Sequence, residues 1–341
     1  MKRFELAVIG GGPAGMAAAL EARKRGVSRI AILEREPELG GILQQCIHSG
    51  FGLTYFEEEL TGPEYAERFI QLLRGSDIEV LTDTTILAIG TDRKLTAVNP
   101  VMGYFEILAD SLILATGCRE KTRDSIGIPG DRPAGVFTAG SAQRFMNREG
   151  GCIGRRAVIL GSGDVGLIMA RRLALEGCEV VAVAEARAVP TGLKRNVLQC
   201  LNDFGIPLLL SHTVTSIVGK ERLEGVVLSQ VDEHLQPIPD QSEFIECDAL
   251  LLSVGLIPET DLAIQDGIPV HETQGGLLVD ENLQCGAEGI FACGNAVRIF
   301  DLADSVSRQA ERAGRSAAAY LAGRKSESAK EQAAAERSAS I

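Results

Sequence analysis

The chain has 341 residues, enough for about two domains, with a formal net charge of −12. That balance argues against a general nucleic-acid surface, which needs a basic stripe. Aromatic residues make up 4 % and Trp is absent, so an aliphatic core is expected, and 38 glycines suit a backbone that turns tightly or approaches a ligand.

In chain order, the first predicted element is an apolar strand in "LAVIGGGPAG" (6–15), running into Gly10-x-Gly12-x-x-Gly15. A helix over 13–25 stops before Gly26, with Pro13 in the first turn, where its missing N–H costs nothing. A second strand over 28–33 is capped by Glu34. Residues 40–52 read "GGILQQCIHSGFG", with Cys46 two positions before His48. Pro63 opens a helix that Gly75 closes. Alternating strands near 84–90, 94–99 and 102–108 form an antiparallel meander. "LILATG" (112–117) is continuously apolar, as suits a strand covered on both faces.

The pattern then begins again. "AVILGSGDVG" (157–166) carries Gly161-x-Gly163-x-x-Gly166, followed by a helix over 164–176, a strand over 179–184 and the acid Glu185. A helix at 193–204, a strand-rich insert near 213–246 and the apolar run "LLLSVG" (250–255) complete the second unit. "GLIPETD" leads back to short strands at 276–279 and 289–293 and a helix at 302–322. The tail 323–341 is Ala, Ser, Glu and Lys without an apolar face and is expected to lack order.

From first glycine to acid is the same 24 residues in both copies, 10 to 34 and 161 to 185. One GxGxxG is weak; two, each with strand, helix, second strand and acid in register, are strong. The first glycine makes the turn, the second admits a pyrophosphate and the third lets helix pack on strand, while the helix N-terminus offers free N–H groups to the phosphates. The acid accepts from ribose hydroxyls. At Glu185 it repels a 2′-phosphate, which favours NAD(H) over NADP(H); Arg187, two residues on, is able to accommodate that phosphate and works against the preference.

The eight cysteines show no CxxC spacing, and the four histidines no metal spacing, so no metal is expected. Buried thiols in a reducing cytoplasm are the plainer reading. The N-terminal apolar run is too short for a secretory signal, and no stretch approaches the ~20 apolar residues of a membrane span. A cytoplasmic protein is expected.

Together these motifs, with "ATG" at 115–117, "GLIPET" at 255–260 and "GIFACGNA" at 289–296, resemble the pyridine nucleotide–disulfide oxidoreductase superfamily over residues 4–322. The resemblance implies an α/β fold of two Rossmann-like domains, thioredoxin-reductase-like, the NAD(P) domain (121–253) inserted in a discontinuous FAD domain (1–120 and 254–322). It implies FAD contacts from Gly10, Gly12, Pro13, Ala14, Gly15, Glu34, Arg35, Gly41, Thr116 and Gly117. Gly294, Asn295, Gln309 and Ala310 join them from the far end of the chain. Gly161, Gly163, Asp164, Val165, Gly166, Glu185 and Gly255 would serve the nicotinamide dinucleotide. Asn295 stands where the family has an aspartate on the flavin's ribityl chain; its amide oxygen can still accept.

Both of the family's dithiol relays are missing. "VFTAGSAQRFMNREGG" (136–151) has no cysteine where thioredoxin reductases carry CxxC, and the first-domain loop has Cys46 alone. Residues 40–69 and 188–208 are similar to the flavoprotein that accompanies anaerobic-type glycerol-3-phosphate dehydrogenases, and to FAD subunits of opine and hydroxyproline oxidoreductases and hydrogen cyanide synthase. That likeness implies electron transfer to a second flavoprotein dehydrogenase subunit, often with a small iron–sulfur protein. Two alternatives stay open: a standalone single-cysteine disulfide or electron-carrier reductase using Cys46, with His48 lowering its pKa, and a module that binds nucleotide without turnover. In the plain reading Cys46 fills an apolar gap and His48 bonds a loop carbonyl. Arg119 and the "IPG" at 128–130 are read as connecting structure.

Overall fold

In the computed structural model residues 1–339 are described, without the side chains of Thr91 and 327–339. The chain divides into two units, Met1–Arg119 with the chain from Ile257 onward, and Glu120–Leu256.

The first unit opens with strand β1 (Lys2–Ile9), helix α1 (Pro13–Lys24) and strand β2 (Ile30–Leu33). A short ribbon of β3 (Ser49–Phe51) and β4 (Leu60–Thr61) precedes α2 (Gly62–Arg74). Thr61, rather than Pro63, starts that helix. Its hydroxyl accepts from the Glu64 N–H and the Glu64 carboxylate accepts from the Thr61 N–H, which satisfies two orphan donors. Then come β5 (Glu79–Leu81), β6 (Thr85–Gly90), β7 (Lys94–Asn99) and β8 (Gly103–Leu114).

Two expected strands prove to be one. β8 pairs antiparallel with β7 through Gly103–Leu108 and parallel with β1 through Ile107–Leu114. Its first residues are exposed or half-buried, Ile107–Asp110 alternate between buried and half-buried, and only Ser111–Leu114 are buried without a break, so one strand reads as two.

From β9 (Cys118–Glu120) the chain enters the second unit through β10 (Val136–Thr138) and α3 (Ala139–Glu149), a helix the sequence reading did not anticipate. β11 (Arg156–Leu160), α4 (Asp164–Leu175), β12 (Glu179–Glu185), α5 (Lys194–Cys200) and β13 (Leu208–Leu210) follow. A meander of β14 (His212–Gly219), β15 (Leu223–Val231) and β16 (Pro237–Glu246) leads to β17 (Ala249–Leu252). The return runs through β18 (Leu256–Pro258), α6 (Asp261–Gln265), β19 (Ile290–Ala292) and α7 (Ala303–Ala339). At 276–279 there is no strand, only single bridges from Leu277 to Val270 and from Val279 to Cys285. The tail expected to lack order continues α7 to Ala339, because Ala, Glu and Lys are strong helix formers; Ser340 and Ile341 lie outside the described residues.

The repeat extends to topology. The first parallel sheet runs β5-β2-β1-β8 with β19 beside β8, and the second runs β13-β12-β11-β17-β10. Position for position these are the same arrangement. In β1, Leu6 and Val8 enter one core cluster while Ala7 and Ile9 enter another, and β11 divides Ala157 and Ile159 from Val158 and Leu160 likewise. Burying each large aliphatic side chain on such a strand contributes about 1.5–3 kcal/mol. α1 and α7 meet through small residues: a Cβ on Gly314 would lie 2.3 Å from the Ala18 carbonyl oxygen. The core is mainly aliphatic as composition suggests; Phe4 and Phe291 are buried in it, and Phe51, Tyr55 and Phe56 of the 51–56 loop form an aromatic nest with Tyr65 and Phe69.

Candidate dinucleotide sites

Each glycine-rich turn sits at the end of its central parallel strand, pressed against the strand beside it. A Cβ on Gly10 would fall 2.3 Å from the Ala115 carbonyl oxygen, and one on Gly161 would fall 2.1 Å from that of Ser253. Both glycines also need positive φ, +107° and +99°. A Cβ on Gly15 would lie 1.8 Å from the Gly10 carbonyl oxygen, whereas one on Gly12 would meet nothing within 4 Å. The third glycine is therefore fixed by packing, and the second opens onto free space at the α1 N-terminus. That open cradle fits a pyrophosphate.

The two acids are held alike. Glu34 accepts from the Gly11 N–H at 2.6 Å and from the Glu36 N–H at 2.8 Å. Glu185 accepts from the Ser162 N–H at 3.0 Å, the Ser162 hydroxyl at 2.6 Å and the Arg187 N–H at 3.0 Å. Each carboxylate is thus tied to the residue between the first two glycines and to the backbone two positions after itself. Burial pushes the Glu185 carboxyl upward, but the hydrogen bonds from Ser162, Arg187 and Thr191 outweigh it and hold it below the usual glutamate range. It is an anion at neutral pH. Arg35 and Arg187 are exposed.

Around the α1 N-terminus the structure gathers the distant segments. A Cβ on Gly41 would lie 3.2 Å from Gly12 Cα, and one on Gly294 2.9 Å from Ala14 Cβ. The Gly294 N–H donates to Gln309 Oε1 at 2.8 Å, and Ala310 is buried below it. Thr116 donates its hydroxyl to the Glu259 carbonyl at 2.5 Å, and Glu259 N–H returns a bond to Gly117 at 2.9 Å. The Asn295 amide is engaged within the chain: its oxygen accepts from Phe300 N–H at 3.0 Å and its nitrogen donates to Cys118 Sγ at 3.3 Å. One acceptor position on that oxygen remains for a hydroxyl. Arg119 pairs with Glu259 at 2.9 Å and Asp261 at 3.2 Å.

Around the second turn, Gly163 caps α4, and Gly166 donates its N–H to Ser253 Oγ at 3.1 Å. Val165 is partly exposed, and Gly255 adopts φ +108° just beyond β17. Asp164 turns to the chain itself, accepting from Leu193 N–H and from the Asn196 side-chain amide, each at 2.7 Å.

Cys46 does not have the surroundings of an activated thiol. Burial pushes it up to about 12, opposite to the lowering a reactive thiolate needs. Its Sγ lies 3.3 Å from the Ile42 carbonyl oxygen. His48 Nδ1 donates to the Ser49 carbonyl at 3.1 Å, and its ring lies 5.1 Å from that of Phe51.

One group that sequence reading missed organises this loop. Asp304, buried at the start of α7, accepts from the N–H groups of Gly52, Thr54 and Tyr55 and from the Thr54 hydroxyl, all within 2.8–3.0 Å. Tyr55 then donates its hydroxyl to Glu311 at 2.6 Å, and Tyr65 to Ser307 at 2.9 Å. Nothing local marks a bond that spans some 250 residues.

Two parallel sheets of one design, each ending in a glycine turn locked to a buried acid, define a protein with two dinucleotide folds in one chain. The family described as pyridine nucleotide-disulphide oxidoreductase matches residues 4–317, and the chain belongs to it. Hydrogen cyanide synthase subunit HcnB of Pseudomonas protegens is 27 % identical over 80 % of this chain and 60 % of its own. An opine oxidase subunit of Agrobacterium tumefaciens is 28 % identical over 76 % of this chain and 54 % of its own. The chain thus spans 54–60 % of the length of these relatives. The solved thioredoxin reductase of T. acidophilum superposes with a TM-score of 0.75 at 22 % identity, covering 94 % of this chain and 99 % of that one, which shows the thioredoxin-reductase-like fold. Among the described residues no helix is long and apolar enough to cross a membrane.

Proposed function

We propose that the chain is an FAD-dependent NAD(H) oxidoreductase that passes electrons between nicotinamide and a partner, either a second flavoprotein dehydrogenase subunit or a small iron–sulfur protein. Oxidation of glycerol 3-phosphate is the leading process, with amino acids or opines next. One observation carries the cofactor reading: two glycine turns, each at the start of a helix with an acid locked to the residue between its first two glycines, and free space over Gly12 in the first. The subunit names of the two relatives support the partner.

Bound FAD would supply the hydride and electron chemistry. The chain's own work is positional. Gly10, Gly12 and Gly15 shape the pyrophosphate cradle, Glu34 presents its carboxylate to the ribose, and Gly294, held by Gln309, closes over α1. Glu185, ionised and fixed, meets the second ribose, while Gly255 and Val165 border that turn. We assign the second site to NAD(H) because a fixed anion accepts from a 2′-hydroxyl and repels a 2′-phosphate. NADH should therefore reduce the protein at a concentration about tenfold below that needed of NADPH, a difference near 1.4 kcal/mol. Glu185→Gln should narrow that gap. Equal half-saturation by NADH and NADPH in the unmodified protein would defeat the assignment.

The half-buried Cys46, its thiol pushed upward by desolvation and placed against the Ile42 carbonyl, favours a partner over a thiol relay. Cys46→Ser is expected to leave NADH-driven flavin reduction and dye reduction within about twofold, as for a small polar-for-thiol change at a group outside the proposed electron path. Rapid reduction of a low-molecular-weight disulfide by the isolated protein, abolished in Cys46→Ser, would establish the single-cysteine reductase instead. Co-purification from the native cell, with the flavin of the captured partner counted, tests the electron-transfer role itself.

A further inference from the structure

The two turns differ at three positions, Gly11/Ser162, Pro13/Asp164 and Ala14/Val165, and only one of these changes places a charge at the turn. Where the first has Pro13 as the first residue of its helix, the second has Asp164. In both units the chain beyond the ribose acid folds back over the turn in the same way. Gly40 N–H donates to the Gly11 carbonyl at 2.9 Å, and Gly192 N–H donates to that of Ser162 at 2.8 Å. In the second unit this return is bound more tightly. Thr191 N–H donates to Ser162 Oγ at 2.9 Å, and the Asp164 carboxylate takes Leu193 N–H and the Asn196 amide. Gly192 has no room for a side chain: its Cβ would lie 2.8 Å from the Ser162 carbonyl oxygen and 2.9 Å from Asp164 Oδ1.

Both donors that hold Asp164 are neutral amides, so they fix the position of its charge without cancelling it. Lys194 and Arg195, which follow, are exposed. A carboxylate at this place stabilises an empty helix N-terminus and opposes any second anion brought there. The first turn, with proline, opposes nothing.

We propose that Asp164 is an affinity-setting residue that weakens dinucleotide binding at the second turn, so that the nucleotide there exchanges while the one at the first turn stays. The inference rests on the nucleotide reading of the second unit. Asp164 fixes the 191–196 return over the turn and sets a negative charge against the incoming pyrophosphate, and the two roles separate by substitution. Asp164→Asn keeps an acceptor for Leu193 and Asn196 and removes the charge. Asn196→Ala removes one bond and keeps the charge. Asp164→Pro copies the first turn.

Calorimetric titration of the flavin-loaded full chain with NAD⁺ and with ADP-ribose reads the effect without turnover. Asp164→Asn is expected to bind both about three- to tenfold more tightly at low salt, with the gain shrinking as salt screens the repulsion. Asp164→Pro should move in the same direction and Asn196→Ala should not tighten binding. Unchanged or weaker binding in both Asp164 variants would overturn the proposal while leaving the second site standing. Failure of the unmodified protein to bind either ligand would remove the nucleotide reading of the second unit, and this proposal with it.

Discussion

Asp304→Ala is expected to destabilise the first unit by about 3 kcal/mol, near the top of the range for a single substitution that breaks a buried hydrogen-bond network. Four donors converge on that carboxylate, three of them backbone N–H groups of the 52–55 loop, and the residue is 6 % exposed. Alanine leaves those donors without their acceptor and frees the loop that contributes to the aromatic nest of Phe51, Tyr55, Tyr65 and Phe69. Asp304→Asn restores one acceptor oxygen and should recover part of the loss. Urea unfolding followed by far-ultraviolet dichroism measures both; a midpoint unchanged in Asp304→Ala would show the staple to be dispensable. Burial pushes the Asp304 carboxyl up, but the bonds from Thr54, Gly52 and Tyr55 prevail and hold it below the usual aspartate range. A carboxylate with a depressed folded pKa contributes stability that is present above its unfolded value, near 3.9, and lost as pH falls through the folded one. The stability difference between wild type and Asp304→Ala should therefore be full at neutral pH and shrink below about pH 4.

Gly15→Ala and Gly166→Ala occupy equivalent places in the two turns and should have unequal effects. At Gly15 a methyl would stand 1.8 Å from the Gly10 carbonyl oxygen, a backbone atom that cannot step aside without opening the turn. A cost of about 4 kcal/mol or more, with loss of tightly bound flavin, is expected. At Gly166 the nearest atoms are the Gly161 carbonyl oxygen and Ser253 Cβ, both at 2.8 Å, so a smaller displacement suffices. There the expected cost is about 1–3 kcal/mol. Gly166→Ala should purify yellow and be reduced more slowly by NADH, while Gly15→Ala should purify with little flavin. The flavin-to-protein absorbance ratio, with rapid mixing against NADH, checks both. A colourless Gly166→Ala or a fully yellow Gly15→Ala would reverse the assignment of the two turns.

What could be read in the sequence is what local chain encodes. Each turn, its helix, the strand after it and the acid occupy a run of about thirty residues, and the structure places Gly10 with Gly161, and Glu34 with Glu185, in matching surroundings. Contacts made across long separations left no such trace. Asp304 reads as an ordinary helix-start acid until the fold brings the 52–55 loop to it, and Asn295 meets Cys118 across 177 residues. β8 misled because one strand passes between two environments, and a break in alternation looks like a break in the chain. α3 stood in a stretch read only for its missing cysteines. Asp164 was legible as part of a motif, but its side chain serves the 191–196 return, which the motif does not describe.

The central claim is that one chain holds a resident flavin in its first unit and receives a reducing nicotinamide in its second. Anaerobic mixing of the purified protein with NADH tests it most directly. The account predicts a yellow preparation whose flavin absorbance bleaches on mixing, in Cys46→Ser as in the unmodified chain. A preparation that stays colourless when FAD is supplied, or whose yellow band persists unchanged through prolonged contact with NADH, would contradict it.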